Sequence, residues 1–185
     1  MRVAVVGTSG SGKSTFARRL AELAGAAHIE LDAINWQADW RDLNTHDPEE
    51  FRRRVAQAVA QEHWVSDGNY GKVRDLVLAR ATDLIWLDYS RLLTLRRVVW
   101  RSFRRALSKQ ELWPGTGNRE QFGRWLDREH PIRWAWDTYH ARRAAYAAMF
   151  DDPALAHVRK HRLRHPREAG PLMAALTKGE TQSVA

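Results

Sequence analysis

The sequence of 185 residues contains no cysteine, and this absence removes several kinds of chemistry. Disulfides, zinc–thiolate sites and thiol nucleophiles are all excluded. No apolar run approaches the roughly 20 residues that a membrane-spanning helix requires. The first residues also lack the apolar segment that is typical of a signal peptide. We therefore expect a cytoplasmic protein with no membrane association.

What the sequence has in excess is positive charge. Lysine and arginine number 30 against 22 aspartates and glutamates, which gives a net charge of +8. Such a balance favours polyanionic partners, namely nucleotides, nucleic acid or an anionic membrane surface. Arginine predominates and suits bidentate recognition of phosphate, although the base composition of a genome produces the same bias. The length predicts one domain with a sizeable core over residues 1–178, followed by a flexible tail at 179–185.

A glycine-rich stretch near the start carries the strongest chemical signal. Residues 7–14 read Gly-Thr-Ser-Gly-Ser-Gly-Lys-Ser and fit the phosphate-binding pattern G-x-x-x-x-G-K-[ST]. The apolar run at 3–6 predicts a buried parallel strand before it. Phe16, Leu20 and Leu23 recur at helical spacing after it. Strand, turn and helix are the context this motif needs, and the alternative is an incidental turn that contains a lysine.

In this context the loop would hold a nucleoside triphosphate through its backbone N–H groups and the dipole of the following helix. Lys13 would reach the β- and γ-phosphates, and the Ser14 hydroxyl would hold Mg²⁺. The sequence therefore predicts ATP and Mg²⁺ as cofactors. The predicted nucleotide-binding residues are Gly7, Thr8, Ser9, Gly10, Ser11, Gly12, Lys13, Ser14 and Thr15.

Short apolar segments and helical patterns alternate along the rest of the chain. Further strands are expected at residues 27–31, 64–66, 84–87 and 156–159. Helices are expected after the Asp47 cap and over residues 91–107, 132–150 and 167–176. This alternation predicts an α/β fold with a parallel sheet covered on both faces. His161 and His165 fall in a basic loop and lack metal-ligand spacing, so we interpret them as solvated.

Two aspartates end predicted strands at the sheet edge where open α/β folds bind ligands. Mg²⁺ takes one or two carboxylates and keeps several waters, so Asp67 is a candidate metal ligand together with Ser14. Asp32 either orients or deprotonates an acceptor hydroxyl, or helps to hold the metal. The alternative for both is a turn or capping carboxylate. Trp36 and Tyr70 are candidate substrate residues that would stack on a base or shape an acceptor pocket.

The helix over residues 91–107 divides into an apolar and a basic face. The expected buried face is formed by Leu92, Leu95, Val99, Phe103 and Ala106, with arginines at 97, 101, 104 and 105 opposite. Arg97 and Arg101 are candidate catalytic residues because guanidinium groups stabilise the charge that develops in phosphoryl transfer. The alternative is a solvated helix face.

Residues 108–120 contain Pro114-Gly115-Thr116-Gly117, which favours a mobile loop with few apolar anchors. Arg143 interrupts the apolar stripe of the helix that follows. It either lays its stem along that stripe with the guanidinium in water, or it points into the site as a further catalytic residue.

Four features together resemble the nucleoside-monophosphate-kinase-like branch of the P-loop proteins. The closest resemblance is to the small bacterial family often labelled DNA topology modulation protein, or adenylate-kinase-like. The features are residues 7–15, Leu31-Asp32 followed by Trp36, the Asp-Gly-Asn-Tyr stretch at 67–70, and Leu87-Asp88 leading into Arg97 and Arg101. The resemblance implies a three-layer fold with a five-stranded parallel sheet in the order 2-3-1-4-5. It implies a helical lid, over about residues 97–143, with phosphate-binding arginines. It also implies a second-substrate site near strand 2.

The resemblance implies an ATP-dependent kinase that transfers the γ-phosphoryl group of ATP·Mg to a small acceptor. In adenylate kinases the third strand ends Asp-Gly-Phe-Pro-Arg, and the different ending here argues against AMP as that acceptor. The alternative function is an ATP-regulated DNA-binding protein that modulates topology. Nucleic acid is the less favoured partner because the sequence shows no helix-turn-helix, zinc-finger or RNP signature. A switch or motor NTPase is disfavoured because Gly68, and not a glutamate, follows Asp67.

Overall fold

The computed structural model describes residues 1–108, 111–119 and 131–181. Five strands form one parallel sheet in the order β2-β3-β1-β4-β5, which confirms the predicted fold class and strand order. The strands are β1 (Arg2–Gly7), β2 (Ala27–Glu30), β3 (Trp64–Asp67), β4 (Asp83–Leu87) and β5 (Arg159–Leu163).

Eight α-helices are described around this sheet. They are α1 (Lys13–Ala24), α2 (Leu31–Asn35), α3 (Leu43–His46), α4 (Pro48–Val59), α5 (Arg74–Arg80), α6 (Arg91–Ser108), α7 (Pro131–Asp151) and α8 (Ala169–Thr181). Short 3₁₀ turns lie at Ala38–Trp40, Gly71–Val73, Pro153–Leu155 and Pro166–Glu168. Of the helices described, none has the length and apolar character needed to cross a membrane.

The core lies on both faces of the sheet because successive strand residues point to opposite sides. Val3 and Val5 pack on one face with Phe16 of α1 and with α8. Ala4 packs on the other face with Phe51 of α4 and with residues of α5 and α7. Burial on both faces explains the continuous apolar runs at residues 3–6 of β1 and 84–87 of β4, as is typical of parallel strands.

The strand register brings the carboxyl ends of β2 and β3 together. Asp67 of β3 pairs with Val5 of β1 on one side and with Glu30 of β2 on the other. Gly7, at the end of β1, pairs with Leu87 at the end of β4. The glycine-rich loop that follows Gly7 therefore begins beside the last residues of its neighbouring strands.

The last strand was predicted at the wrong place. It covers Arg159–Leu163, not residues 156–159, and Leu163 is its one buried residue. β5 is an edge strand, so its amino-acid sequence is determined by ion pairs more than by the burial of an apolar face. Arg159 and His161 both bond Asp83, at 2.9 and 2.8 Å. His161 is therefore part of the sheet, and the prediction that it lies in a solvated loop was wrong.

Of the five apolar residues predicted to be buried on α6, Ala106 is buried, whereas Leu92, Val99 and Phe103 are exposed. Leu92 is 77% exposed and Phe103 is 39% exposed. The buried positions are Thr94, Val98, Ser102 and Ala106, all small or medium in size. The reason is the close approach of this helix to the glycine-rich loop, where a Cβ on Gly10 would collide with the carbonyl oxygen of Thr94. Large side chains cannot fit at such a contact.

Other boundaries differ by a few residues. Strand β2 ends at Glu30, and Asp32 lies in the first turn of α2, not at a strand end. Asp47 caps α4 by accepting a hydrogen bond from the Glu50 N–H, and Pro48 follows it, as predicted. Helix α8 continues to Thr181, beyond the predicted start of the tail at 179. The remaining tail residues and Glu120 lie outside the described residues.

Candidate active site

The glycine-rich loop joins β1 to α1 and is shaped by left-handed backbone positions. Gly10 has φ +80° and Gly12 has φ +93°, conformations that a residue with a Cβ rarely adopts. Gly12 is also the N-cap residue of α1, so no N-cap side chain accepts a hydrogen bond from the first N–H groups of the helix. The first N–H groups of α1 therefore open towards the loop and form an anion-binding terminus.

Two hydroxyl groups of the loop are buried. Thr8 is 5% exposed and Ser11 is 1% exposed. Within the described part of the chain, neither hydroxyl oxygen has a hydrogen-bond partner. Buried polar groups in proteins are nearly always paired. Two such hydroxyls beside a helix N-terminus fit the oxygens of a phosphate chain.

The ammonium group of Lys13 lies among charges of both signs. Burial is the largest cause that lowers its pKa, from 10.5 to about 8. Asp67 and Asp32 act in the opposite direction, and the positive charges of Arg101 and Arg142 lower the pKa further. These four groups from β3, α2, α6 and α7 thus converge on the lysine of the loop.

Asp67 joins the loop to the neighbouring strands. The Ser14 hydroxyl donates to its Oδ2 at 2.5 Å, and Nε2 of His28 lies 2.8 Å from its Oδ1. Asp67 is 2% exposed. Oxygen donors suit Mg²⁺, which completes its coordination with water and substrate phosphates. The pair of Ser14 and Asp67 fits such a sparse site, and no cage of three His, Asp or Glu side chains occurs among the described residues.

Asp32 lies on the acceptor side predicted near β2. The Tyr70 hydroxyl donates to its Oδ1 at 2.6 Å. Burial, followed by the negative charge of Asp32, raises the pKa of Tyr70, so that its proton stays in place. Burial also raises the pKa of Glu30, and Asp67 and Asp32 add to this effect. Three carboxylates therefore lie close enough at this edge for their charges to interact.

Trp36 belongs to a cluster of three tryptophans that joins the loop after α2 to residues 111–119. Its ring stacks on Trp113, with centroids 6.0 Å apart and planes at 19°. Trp40 meets the rings of Trp36 and Trp113 edge-on, at 5.7 and 6.1 Å. Residues 111–119 are thus packed against the loop after α2, and the prediction of few apolar anchors was wrong for them.

Asn118 also joins residues 111–119 to the loop after α2, through hydrogen bonds. Its Nδ2 donates to the Gln37 carbonyl oxygen at 2.8 Å, and its Oδ1 accepts from the Trp40 N–H at 3.0 Å. Asn118 is 2% exposed. Together with the tryptophan cluster, this side chain attaches residues 111–119 to the loop after α2.

The predicted arginines of α6 face the loop. Nη1 of Arg97 donates to the Ser11 carbonyl oxygen at 3.2 Å. Arg101 lies near enough to Lys13 for its charge to lower the pKa of that lysine. The alternative of a solvated face does not describe these two residues.

Arg143 has a different environment from the one predicted. Its Nε donates to Oδ1 of Asp88 at 2.7 Å, and Arg162 donates to Oδ2 of the same carboxylate at 2.6 Å. The charge that acts on Lys13 and Tyr70 is that of the preceding residue, Arg142. The sequence pattern of α7 did not indicate that Arg142 would lie near the site.

Three further residues of the site were absent from the sequence prediction. His28 and Glu30 alternate with buried residues on β2, a pattern that places both on one face. That alternation was a usable signal, because Glu30 is the last residue of a strand that ends at the candidate site. Asn118 gave no signal, since its two partners are brought together only by the folded loops.

No protein-family model and no curated protein sequence matches this chain. Among solved structures, a shikimate kinase from Acinetobacter baumannii in complex with shikimate matches with a TM-score of 0.57 and 18% identity. The match covers 98% of this chain and 93% of that one. A gluconokinase from Sinorhizobium meliloti matches with a TM-score of 0.51 and 18% identity, over 99% and 97% of the two chains. The chain has the P-loop kinase fold. At this identity the likeness establishes the fold, and the chemistry of this P-loop protein follows from its own residues.

Proposed function

We propose that this protein is an ATP-dependent phosphotransferase that moves the γ-phosphoryl group of ATP·Mg²⁺ to a hydroxyl group of a small acceptor. One observation carries the proposal. Lys13 and Ser14 of the phosphate-binding loop meet Asp67 and Asp32 at a single edge of the sheet. Two solved structures with the same fold are a shikimate kinase and a gluconokinase, which supports a small acceptor.

The loop and α1 would bind the triphosphate. Backbone N–H groups, the buried hydroxyls of Thr8 and Ser11, and the Lys13 ammonium group surround the place where the phosphates would lie. Ser14 and Asp67 would hold Mg²⁺. When bound, the ion neutralises the charge of the β- and γ-oxygens.

Asp32 would act on the acceptor. Its Oδ1 is held by the Tyr70 hydroxyl, so the other oxygen would take the proton of the acceptor hydroxyl. The acceptor oxygen then bonds to the γ-phosphorus, the bond from that phosphorus to the β–γ bridging oxygen breaks, and ADP leaves. Phosphoryl transfer needs little covalent help from the protein, so positioning and charge supply most of the catalysis.

Arginines on the lid side would stabilise the transferring group. Arg101 and Arg142 already place positive charge near Lys13, and Arg97 contacts the loop backbone at Ser11. The tryptophan cluster and Asn118 bring residues 111–119 over the acceptor side. Exclusion of water protects the phosphoryl group from hydrolysis.

Within this fold we place the chain in the nucleoside-monophosphate-kinase-like branch. The Asp-Gly-Asn-Tyr stretch at 67–70 and the sequence from Leu31 to Trp36 support the small bacterial adenylate-kinase-like family that the sequence resembles. Tyr70 supports this placement structurally, because it fixes Asp32 in a place where adenylate kinases carry a different sequence.

The test is a screen of acceptors for ADP formation from ATP·Mg²⁺. Shikimate and gluconate come first, followed by sugars, nucleosides and nucleotides. We expect one class to raise ADP formation above the rate without acceptor, with a phosphorylated product seen by mass spectrometry. The Lys13→Ala variant controls for contaminating enzymes. Failure of the purified protein to bind ATP·Mg²⁺ in calorimetry would contradict the proposal.

A further inference from the structure

We propose that His28 is a positioning residue of the nucleotide site. Its ring N–H fixes the Asp67 carboxylate in the rotation that Ser14 and Mg²⁺ require. The inference rests on the proposed function, since it assigns a role within the same site. His28 lies outside the phosphate-binding motif and outside the Asp-Gly-Asn-Tyr stretch.

The strand register brings His28 to Asp67. His28 pairs with Val65 and Glu30 pairs with Asp67 across the parallel β2 and β3 strands. Because side chains alternate along a strand, His28, Glu30, Val65 and Asp67 all point to the face that α1 covers. The His28 side chain is 21% exposed, and its Nε2 lies 2.8 Å from Oδ1 of Asp67.

The hydrogen bonds define which groups carry protons. An ionised carboxylate only accepts hydrogen bonds, so Nε2 of His28 is the donor to Asp67. The Ser14 hydroxyl donates to the other carboxylate oxygen. Its own oxygen lone pairs are then directed away from Asp67 and suit a cation. With one donor on each oxygen, the plane of the carboxylate is fixed.

The surroundings make this second donor necessary. Asp67 is 2% exposed, so solvent is a poor substitute for His28. The carboxylate of Glu30 interacts with it, since the negative charge of Asp67 raises the pKa of Glu30. Without a donor on Oδ1, repulsion from Glu30 favours rotation of the Asp67 carboxylate. This rotation would weaken its interaction with a metal ion.

A purely structural role predicts something different. If His28 only satisfies a buried carboxylate, its loss lowers the stability of the whole protein and leaves the effect of Mg²⁺ on ATP affinity unchanged. A positioning role predicts that the effect of Mg²⁺ on ATP affinity is lost selectively. Partners that orient metal-binding side chains typically contribute about 10- to 100-fold to metal affinity.

The experiment measures ATP affinity by calorimetry with Mg²⁺ and with EDTA. The variants are His28→Leu, which removes the donor, and His28→Gln, whose amide N–H reaches to a similar distance. His157→Leu is the matched control, because His157 also makes a single hydrogen bond, to the Leu78 carbonyl, at the opposite end of the sheet. The thermal unfolding of each variant is recorded in parallel.

We expect His28→Leu to lower the apparent Mg²⁺ affinity of the ATP complex by about 10- to 100-fold. Its metal-free ATP affinity should stay within about twofold of the parent. His28→Gln should restore most of the loss, and His157→Leu should show none. An unchanged Mg²⁺ effect in His28→Leu, an equal loss without metal, or no restoration by His28→Gln would each overturn the inference. If the parent itself shows no Mg²⁺-linked ATP binding, the proposed function fails as well.

Discussion

Tyr70 donates its hydroxyl proton to Oδ1 of Asp32 at 2.6 Å, and this bond joins the turn after β3 to the first turn of α2. The two residues are 38 positions apart and come from neighbouring parts of the sheet edge. The pKa of Tyr70 is raised by burial and by Asp32, so the tyrosine remains a donor over the whole working range of pH. The fold itself therefore orients the carboxylate of Asp32.

Replacing Tyr70 with phenylalanine should impair catalysis and spare nucleotide binding. The ring still packs against Phe51, but Asp32 loses its orienting donor. A hydrogen bond to a charged group contributes about 1.5 to 3 kcal/mol, so we expect turnover to fall by roughly 10- to 100-fold. Steady-state kinetics with the acceptor found in the screen and ATP affinity from calorimetry are the measurements. An equal fall in ATP affinity would contradict the assignment of Tyr70 to the acceptor side.

Lys13 should give the ligand-free protein a characteristic pH dependence. Its pKa is lowered to about 8 in the folded chain from an ordinary value of 10.5. Between these pH values the unfolded state binds more protons, so the stability contributed by this residue rises with pH. Below pH 8 Lys13 is protonated in both the folded and the unfolded state, so it does not contribute to the change of stability with pH.

Lys13→Met removes this titration and should also abolish nucleotide turnover. Urea unfolding of the parent and the variant at pH 7, 8, 9 and 10 measures the effect. We expect the stability of the parent to rise relative to the variant above pH 8. Parallel pH profiles would show that burial does not lower the pKa of Lys13 as described.

Substitution of Arg101 should affect catalysis, and substitution of Arg143 should affect stability. Arg101→Ala should lower turnover by on the order of 10³-fold if this arginine stabilises the transferring phosphoryl group. Arg143→Ala should cost about 1 kcal/mol of stability, because the buried Asp88 loses one of two arginine partners. Its turnover should remain within a few-fold of the parent. Single-turnover kinetics and chemical denaturation test the pair, and the reverse pattern would assign the catalytic charge to Arg143.

Asn118→Ala should loosen the contact between the lid loop and the acceptor side. The substitution removes the hydrogen bonds that the Asn118 side chain makes with the Trp40 N–H and the Gln37 carbonyl oxygen. Hydrogen exchange of residues 111–119 should accelerate in the ligand-free protein, because fewer bonds oppose local opening. Thr116→Val is the control, since its hydroxyl bonds only within the same turn. Equal acceleration in both variants would show that the turn opens independently of the acceptor side.

The sheet was predictable because its strongest signals are local. The glycine pattern, the apolar strands and the Asp47-Pro48 start of α4 each depend on neighbouring residues, and all were confirmed. Strand β5 was not predictable in the same way. Its charged residues are paired with Asp83 and Asp88 across the chain, and such long-range ion pairs leave no periodic apolar pattern.

The candidate site was predictable only in part. Ser14, Asp67 and Tyr70 came from motifs, and the structure brings them to one sheet edge as expected. The face of α6 was misjudged because hydrophobicity was taken as the sign of burial. A helix that packs against backbone at Gly10 instead places small residues inward, and its large apolar residues remain outside.

The contact between Gly10 and Thr94 has a mechanical consequence for the lid. Arg97 bonds the loop at Ser11, so the first half of α6 is attached to the sheet edge. The second half of α7 is attached as well, through Arg143 on Asp88. The inner halves of the two helices thus belong to the rigid body of the sheet. A closing motion of the helix pair would therefore be confined to its outer half.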